Sequence, residues 1–213
     1  MPTLGFLHTA DVHVPTFRTL RAELAPSWAE VHTVDASLLA DARTAGITDA
    51  LTDRLDAHLR ELAAAGADVI LCTCSTLGGV AEKRPSTIPV VRVDRPMAEA
   101  AVTAGPRVAV VHTVASTLSP TMTLLHESAT RLGLPCTPVP APCLTAWQAF
   151  ESGSLDVYAT QIAEAARQTA GSADVVILAQ ASMAPAAALL TDLAIPVLTS
   201  PRAAVTAVTR TPR

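Results

Sequence analysis

The segment Leu71-Cys72-Thr73-Cys74-Ser75-Thr76 carries the residue types in this sequence that are best suited to chemistry. It ends an apolar run that predicts a buried strand, and a helix is predicted to begin just after it. The free N–H groups at a helix start favour a thiolate, and with the hydroxyls of Ser75 and Thr76 they are suited to hold a carboxylate. We therefore predict that Cys74 is a nucleophile or an acid/base, with simple packing of a buried thiol as the alternative.

The other cysteines are predicted to have no chemical role. Cys72 lies two residues earlier on the same strand face but deeper, so we expect it to pack. A Cys-x-Cys metal site needs further ligands at suitable spacing, and Cys136 and Cys143 offer no matching pair. We predict no metal site.

Two histidines stand at the ends of predicted strands, in His8-Thr9 and His112-Thr113. An imidazole titrates near neutral pH, so either residue is a candidate acid or base. The alternative for each is a histidine that bonds only the loop backbone. Surface or packing roles are expected for the remaining histidines, which are His13, His32, His58 and His126.

The chain contains an internal repeat. Ala65–Leu71 returns as Gly171–Ile177 and Gly5–Thr9 returns as Ala109–Thr113, at offsets of 106 and 104 residues. Two shorter matches have nearly the same offset: Pro15-Thr16 with Pro120-Thr121, and Ile88–Val90 with Ile195–Val197. The predicted halves are 1–100 and 104–213, with the C-terminal segment as a candidate completion of the first half. Aligned on Asp68 and Asp174, Cys74 falls opposite Gln180.

Each half alternates short apolar runs with helical patterns. The strands expected in the first half are Leu4–His8, Val31–Val34, Asp68–Thr73 and Pro89–Val93. Between them, 49–65 places four leucines on one helical stripe, and Pro15 and Pro120 are predicted to lie in the first turn of a helix. Aspartates that follow strands, Asp35 and Asp94, are expected to cap helices. The predicted fold is α/β, with two pseudo-symmetric three-layer α/β/α halves, parallel sheets and the active site in the cleft between them.

The composition excludes several classes of protein. With 50% hydrophobic residues the chain can form a core, so general disorder is excluded. A net charge of -4 without a basic block argues against nucleic-acid binding, and no apolar stretch is long enough to span a membrane. Four irregularly spaced cysteines and no secretion signal at the N-terminus indicate a cytoplasmic protein with free thiols.

Several of these segments together resemble the cofactor-independent aspartate/glutamate/hydantoin racemase superfamily, which also contains maleate isomerase and arylmalonate decarboxylase. The resemblance is carried by 67–76, 175–183, Val110–Thr113 with Ser116-Thr117, and Ile88–Val90, and it covers essentially the whole chain. It implies catalysis without metal, nucleotide or pyridoxal, a small carboxylate-containing substrate, and a homo-oligomer such as a dimer.

In that superfamily two cysteines, one in each half, move a proton on opposite faces of the carbon beside a carboxylate. The first cysteine corresponds to Cys74, whereas the second would fall at Gln180, which cannot transfer a proton at neutral pH. His8 or His112 could supply the missing group. The resemblance places the carboxylate site at Ser75 and Thr76 and, in the second half, at Thr113, Ser116 and Thr117. Gln180 is expected to hydrogen-bond the substrate.

Three functions are compatible with these residues. The leading expectation is a racemase or isomerase acting at the carbon alpha to a carboxylate, with Cys74 as the thiol acid/base. The second is a lyase resembling arylmalonate decarboxylase, in which one thiol suffices to protonate an enediolate. The third is a non-catalytic protein that retains a carboxylate pocket.

Overall fold

In a computed structural model, which describes residues 1–210, the chain forms two compact α/β units. The first contains Met1–Val93 and the C-terminal segment from Pro201, and the second contains Asp94–Ser200. Each is built on its own four-stranded parallel sheet. This agrees with the predicted pseudo-symmetric halves with parallel sheets. No helix within 1–210 is long and apolar enough to cross a membrane.

The elements of the first unit follow strand–helix alternation. In chain order they are β1 (Thr3–His8), α1 (His13–Leu24), β2 (Ala29–Val34), α2 (Ala36–Ala45), α3 (Asp49–Ala64), β3 (Val69–Cys72), α4 (Ser75–Ala81) and β4 (Val90–Arg92), with α9 (Ser200–Arg210) added from the C-terminal segment. The strand order is β2-β1-β3-β4. An ion pair between Arg202 on α9 and Glu23 on α1, with Nη2 and Oε2 2.7 Å apart, ties the C-terminal helix to this unit.

The second unit repeats the same plan. Its elements are α5 (Arg95–Ala104), β5 (Arg107–His112), α6 (Ala115–Leu132), β6 (Thr137–Pro142), α7 (Ala146–Glu151), α8 (Leu155–Ala170), β7 (Val175–Leu178), a 3-10 helix (Ala181–Leu189) and β8 (Val197–Thr199). The strand order β6-β5-β7-β8 matches that of the first sheet. The repeat found in the sequence is therefore a repeat of topology.

Local sequence features explain most of these elements. The leucines at 51, 55, 59 and 62 are all buried on one side of α3, as the helical stripe predicts. Asp35 caps α2, because its carboxylate accepts a hydrogen bond from the backbone N–H of Ser37 at 3.0 Å. Asp94 is the N-cap residue of α5, but its side chain makes no capping hydrogen bond, so that prediction is wrong. Pro15 is the third residue of α1, whereas Pro120 lies inside α6, which begins five residues earlier at Ala115. The prediction that Pro120 lies in a first turn is therefore wrong, and the repeat does not preserve the helix start.

The matched aspartates of the repeat perform the same structural task in both units. A carboxylate oxygen of Asp68 accepts the backbone N–H of Thr3 at 2.7 Å, and one of Asp174 accepts that of Arg107 at 2.8 Å. In return, the backbone N–H of each aspartate donates to the carbonyl of the same partner at 2.8 Å. Each aspartate thus holds together the N-terminal ends of the two central strands, β1 and β3 in the first unit and β5 and β7 in the second.

The edge strand of the second sheet is protected from further pairing by prolines. Every second residue of β6, beginning with Thr137, directs its backbone N–H group toward β5. This follows from the bonds at the two ends, where the N–H groups of Thr137 and Cys143 donate to the carbonyls of Pro106 and His112. The remaining positions hold prolines, which are Pro138, Pro140 and Pro142. Their nitrogens face away from the sheet and carry no hydrogen, so this edge offers no donor to another strand.

We expect Asp68→Ala and Asp174→Ala each to lower the free energy of unfolding by about 1–2 kcal/mol, because each removes a charge-assisted hydrogen bond to a strand terminus. Urea titration at neutral pH measures the change. Asp53→Ala, at an exposed position of α3, is the control and should change the free energy by less than about 0.5 kcal/mol. Equal effects of all three substitutions would show that the paired aspartates do not hold the strand ends.

Candidate functional site

Cys74 lies in the short connection between a strand of the first sheet and the helix that follows it. β3 ends at Cys72, and the next residue, Thr73, donates its backbone N–H to the carbonyl of Leu7 at 3.0 Å. Cys74 is the N-cap of α4 and keeps an extended backbone, and its carbonyl accepts the N–H of Gly78 at 2.7 Å. Its side chain is buried. Cys74 therefore lies between the end of β3 and the start of α4, as the sequence predicts.

Ser75 and Thr76, the predicted carboxylate-binding pair, form the first turn of α4 and are both buried. A buried arginine packs against the same helix. A Cβ atom added at Gly78 would lie 2.8 Å from Cβ of Arg92, and one added at Gly79 would lie 2.9 Å from its Nη1. The close approach requires glycine at position 78, whereas the contact at Gly79 involves the flexible end of the arginine side chain. In the sequence, the adjacent glycines Gly78-Gly79 inside a predicted helix are the feature that indicates such a close contact.

The two cysteines and His8 belong to different faces of the first sheet. Cys72 and Cys74 are part of an apolar cluster with Leu7 and Ile70. His8 and Phe6 are two residues apart on β1, so their side chains share the opposite face of the sheet. The two rings stack with their centroids 5.7 Å apart. The alternation of side chains along β1 therefore directs His8 away from the cluster that contains Cys74.

His8 is held by hydrogen bonds at both ring nitrogens. Since the Thr73 hydroxyl donates to the carbonyl of Leu7 at 3.1 Å, it accepts from Nδ1–H of His8 at 2.9 Å. Nε2 of His8 then accepts from Nδ1–H of His32 at 2.8 Å. On the far side, Nε2 of His32 lies 3.6 Å from a carboxylate oxygen of Glu30. This chain occupies the groups through which His8 would act as an acid or base.

Burial keeps the histidines of this cluster in their neutral form. Burial, the neighbouring His32 and the neighbouring His13 together lower the pKa of His8 to about 3. Burial lowers the pKa of His13, on α1, to about 4, and it also lowers the pKa of His32 despite the opposing effect of Glu30. These side chains are neutral at pH 7. Packing, expected for His13 and His32, is what the contacts show.

Four polar side chains of the second unit form one connected hydrogen-bond chain. The amide oxygen Oε1 of Gln180 accepts the backbone N–H of Thr113 at 2.7 Å and its hydroxyl at 3.0 Å. The Thr113 hydroxyl oxygen lies 3.1 Å from that of Tyr158, which in turn lies 2.8 Å from the hydroxyl of Ser182. Thr113 and Gln180 were both predicted as site residues, and the fold brings them into direct contact.

Tyr158 and Ser182 are polar neighbours of the site that the sequence analysis missed. Tyr158 lies on α8 and is buried, while Ser182 is the second residue of the 3-10 helix that follows Gln180. No spacing rule connects the two positions, which are 24 residues apart. The only signal was compositional, since Tyr158 is the single tyrosine of the sequence.

His112 differs from His8 in having one ring nitrogen without a protein partner. Its Nδ1 lies 3.3 Å from the carbonyl of Val114, which can only accept, so Nδ1 carries the proton. Nε2 is buried and has no hydrogen-bond partner among the described residues. Burial lowers the pKa of His112, although the bond to Val114 opposes the shift. The neutral ring therefore keeps a bare but buried nitrogen at the end of β5.

Ser116 and Thr117, the other hydroxyl residues predicted for the second half, lie in the first turn of α6, directly after this strand end. Thr117 is buried and Ser116 is half-buried. The backbone N–H of Thr117 donates to the carbonyl of Val114 at 3.1 Å. Together with His112 and Thr113, these residues place the predicted polar groups of the second half within one loop and one helix start.

The comparison with known proteins decides the family. The sequence profile of the Asp/Glu/Hydantoin racemase family matches residues 9–208 of the chain. The chain belongs to the Asp/Glu/hydantoin racemase family. No curated protein is similar enough in sequence to count as a match.

Solved racemase structures share the fold of this racemase-family protein. An aspartate racemase from Picrophilus torridus is 13% identical, with a TM-score of 0.75 over 98% of this chain and 93% of that one. The glutamate racemase isoform RacE1 from Bacillus anthracis is 16% identical, with a TM-score of 0.70 over 98% of this chain and 80% of that one. An allantoin racemase from Klebsiella pneumoniae is 19% identical, with a TM-score of 0.67 over 98% and 86%.

The neutral histidines predict a loss of stability in mild acid. A histidine whose pKa is lower in the folded than in the unfolded state stabilises the fold fully above pH 6.5 and progressively less as the pH falls. Between pH 6 and 5 we expect each of His8 and His13 to reduce the free energy of unfolding by up to about 1.4 kcal/mol per pH unit. Urea titrations at pH 7, 6 and 5 measure the slope.

His13→Leu tests this assignment, because it removes one buried titrating group while keeping an apolar side chain beside Phe17. The change in unfolding free energy per pH unit between pH 6 and 5 should become smaller by the contribution of one histidine, up to about 1.4 kcal/mol. His126→Leu, at an exposed position of α6, is the matched control and should leave the slope unchanged. An unfolding free energy that is constant from pH 7 to 5 in the parent would contradict the prediction.

Proposed function

We propose that this racemase-family protein is a cofactor-independent racemase or isomerase that acts at the carbon alpha to the carboxylate of a small acid. Cys74 is the proposed thiol acid/base. The observation that carries the proposal is the place of Cys74 between β3 and α4, in a chain whose family profile covers residues 9–208. Ser75 and Thr76, at the start of α4, and Arg92, packed against its glycines, support binding of a carboxylate in the first unit.

Inversion of a stereocentre needs one group that takes a proton and another that returns one. Gln180 cannot be the second group because an amide neither gives nor takes a proton at neutral pH. The bare Nε2 of His112 supports that role for His112, whereas both ring nitrogens of His8 are bonded within the first unit. We therefore assign the second proton transfer to His112.

The proposed step balances with neutral groups. Nε2 of His112 takes the alpha proton, and the electron pair of the broken C–H bond moves toward the carboxylate to give an enediolate. The thiol of Cys74 then gives its proton to the carbon, which leaves an imidazolium and a thiolate. These are the forms required for the reverse direction. Burial favours the neutral imidazole, and therefore favours His112 as the base of the starting state.

Exchange of the alpha hydrogen with deuterium oxide tests this function. The assay offers both enantiomers of aspartate, glutamate and a 5-substituted hydantoin, together with an arylmalonate, and follows exchange by proton NMR and configuration by chiral chromatography. We expect exchange and loss of optical purity for at least one of these compounds. Release of carbon dioxide from the malonate alone would instead indicate the one-thiol lyase. Binding of an acid without exchange or decarboxylation would indicate a non-catalytic protein.

Cys74→Ser should lower the exchange rate about 10²–10⁴-fold, the usual effect of losing one acid/base group. Cys72→Ser is the matched control, because Cys72 is the last residue of β3 and packs in the same apolar cluster. It should lower the unfolding free energy while the exchange rate per folded molecule stays within about twofold. Equal loss of exchange in the two variants would overturn the assignment of Cys74.

His112→Gln and His8→Gln separate the two candidate histidines. We expect His112→Gln to lower racemisation about 10²–10⁴-fold, because the bare nitrogen is lost. His8→Gln should mainly lower stability, because it breaks the chain through His32 and Thr73. The measurement pairs the exchange assay with urea unfolding of each variant. Full racemisation by His112→Gln would show that the second proton comes from another group.

A further inference from the structure

The hydrogen-bond chain in the second unit has one direction only. The backbone N–H of Thr113 can only donate, so the Gln180 atom that faces it at 2.7 Å is the amide oxygen. The same oxygen can only accept, so the Thr113 hydroxyl donates to it. Thr113 must then accept from the hydroxyl of Tyr158, which in turn accepts from that of Ser182. The donors run from Ser182 through Tyr158 and Thr113 to Gln180.

This direction fixes which end of the Gln180 amide remains available. With Oε1 held by two donors, the amide cannot turn over without placing its NH2 group against the N–H of Thr113. Nε2 makes no hydrogen bond to any residue within 1–210, although the side chain is 91% buried. This nitrogen is not among the fully buried side-chain atoms without a partner, so a ligand or water can reach it and accept from it. Gln180 therefore offers two N–H donors and no acceptor.

Tyr158 is suited to hold this arrangement. Burial raises the pKa of its hydroxyl, although the hydrogen bonds with Ser182 and Thr113 oppose the shift, so the group stays protonated and can donate. The side chain is packed in the core of the second unit with Ile162 and Met183. Its hydroxyl position is therefore set by packing rather than by the loops around Gln180.

We propose that Gln180 is a specificity-determining residue whose NH2 group donates to a carboxylate or carbonyl oxygen of the substrate, and that Tyr158 is the positioning residue that orients it through Thr113. The inference rests on the proposed function, since it concerns the same site. It replaces the proton-transferring group expected at this position by a fixed donor. Substrates with an anionic or strongly polar oxygen are then favoured over those with a donor group there.

Gln180→Glu is the sharpest test because it is nearly isosteric. The carboxylate can still accept both bonds from Thr113, whereas the two N–H donors are lost and a negative charge is added. We expect weaker binding of an acidic substrate, by about 10–100-fold in KM or Kd. Gln168→Glu adds the same charge at an exposed position of α8 and should leave binding within about twofold.

The amide can also be observed directly. The sequence contains four glutamines and no asparagine, so a nitrogen–proton correlation spectrum holds four side-chain NH2 pairs, and the pair missing in Gln180→Glu belongs to Gln180. Titration with malonate, D- and L-aspartate and D- and L-glutamate should shift this pair. In Tyr158→Phe the pair should move or broaden without any ligand, and KM should rise about 3–10-fold while kcat stays within about twofold.

The outcomes separate this inference from the proposed function. Exchange of an alpha hydrogen together with an unmoved Gln180 pair and an unchanged KM in Gln180→Glu overturns the inference and keeps the function. A shifted Gln180 pair without exchange of any compound supports the donor role and overturns the catalytic proposal. If no compound shifts the pair and none exchanges, both are overturned. A Tyr158→Phe variant that is only less stable, with KM and the Gln180 pair unchanged, removes the positioning role.

Discussion

The pairing of β1 with β3, and of β5 with β7, is the constraint on which the placement of the polar groups depends. In each pair the first residue after the second strand donates back to the first strand: Thr73 to Leu7 and Ala179 to Val111, both at 3.0 Å. These bonds extend the ladder by one position beyond the strands. The next residue is then Cys74 in one unit and Gln180 in the other, and each of them precedes a helix. Parallel pairing therefore delivers the two residues to equivalent places.

The two units keep this frame and differ in the polar groups built on it. In the first unit, Thr73 faces a cluster of aromatic and histidine side chains around Phe6 and His8, and both ring nitrogens of His8 are hydrogen-bonded. In the second unit a hydroxyl chain that ends on Gln180 lies on the other face, the one that corresponds to the face of Cys74 in the first unit. A buried network of this kind is favourable only when its members are satisfied. Near the end of β5, Nε2 of His112 and the NH2 group of Gln180 have no hydrogen-bond partner among the described residues.

These two groups have different chemical capacities. A bare imidazole nitrogen takes a proton, whereas an amide NH2 donates a hydrogen bond and keeps its protons. In this chain Gln180 takes the place of the second cysteine, so we expect its roles in binding and proton transfer to be distributed differently from those in a protein with two thiols. Binding is assigned to the amide, and proton transfer is assigned to Cys74 and His112. In the proposed function, the residue at the position of the second cysteine binds the substrate instead of transferring a proton.

Much of this could be read from the sequence because it depends on local pattern. The offset repeat, the strands around Asp68 and Asp174, the leucine stripe of α3 and the position of Cys74 opposite Gln180 all follow from periodicity and spacing along the chain. Family membership followed from the same segments. The helix start near Pro120 was wrong because α6 begins at Ala115 and continues through the proline, which local rules do not favour.

Only the tertiary structure decided what each polar side chain contacts. His8 and His112 occupy equivalent positions in the sequence, but one is bonded at both nitrogens and the other keeps one nitrogen bare. That difference arises from residues on other elements, such as His32 on β2, which no spacing rule connects to His8. Gln180 likewise contacts Thr113, whose hydroxyl in turn meets that of Tyr158, on α8. Hydrogen bonds between distant segments are set by packing, and packing is determined by the whole fold rather than by any one stretch of sequence.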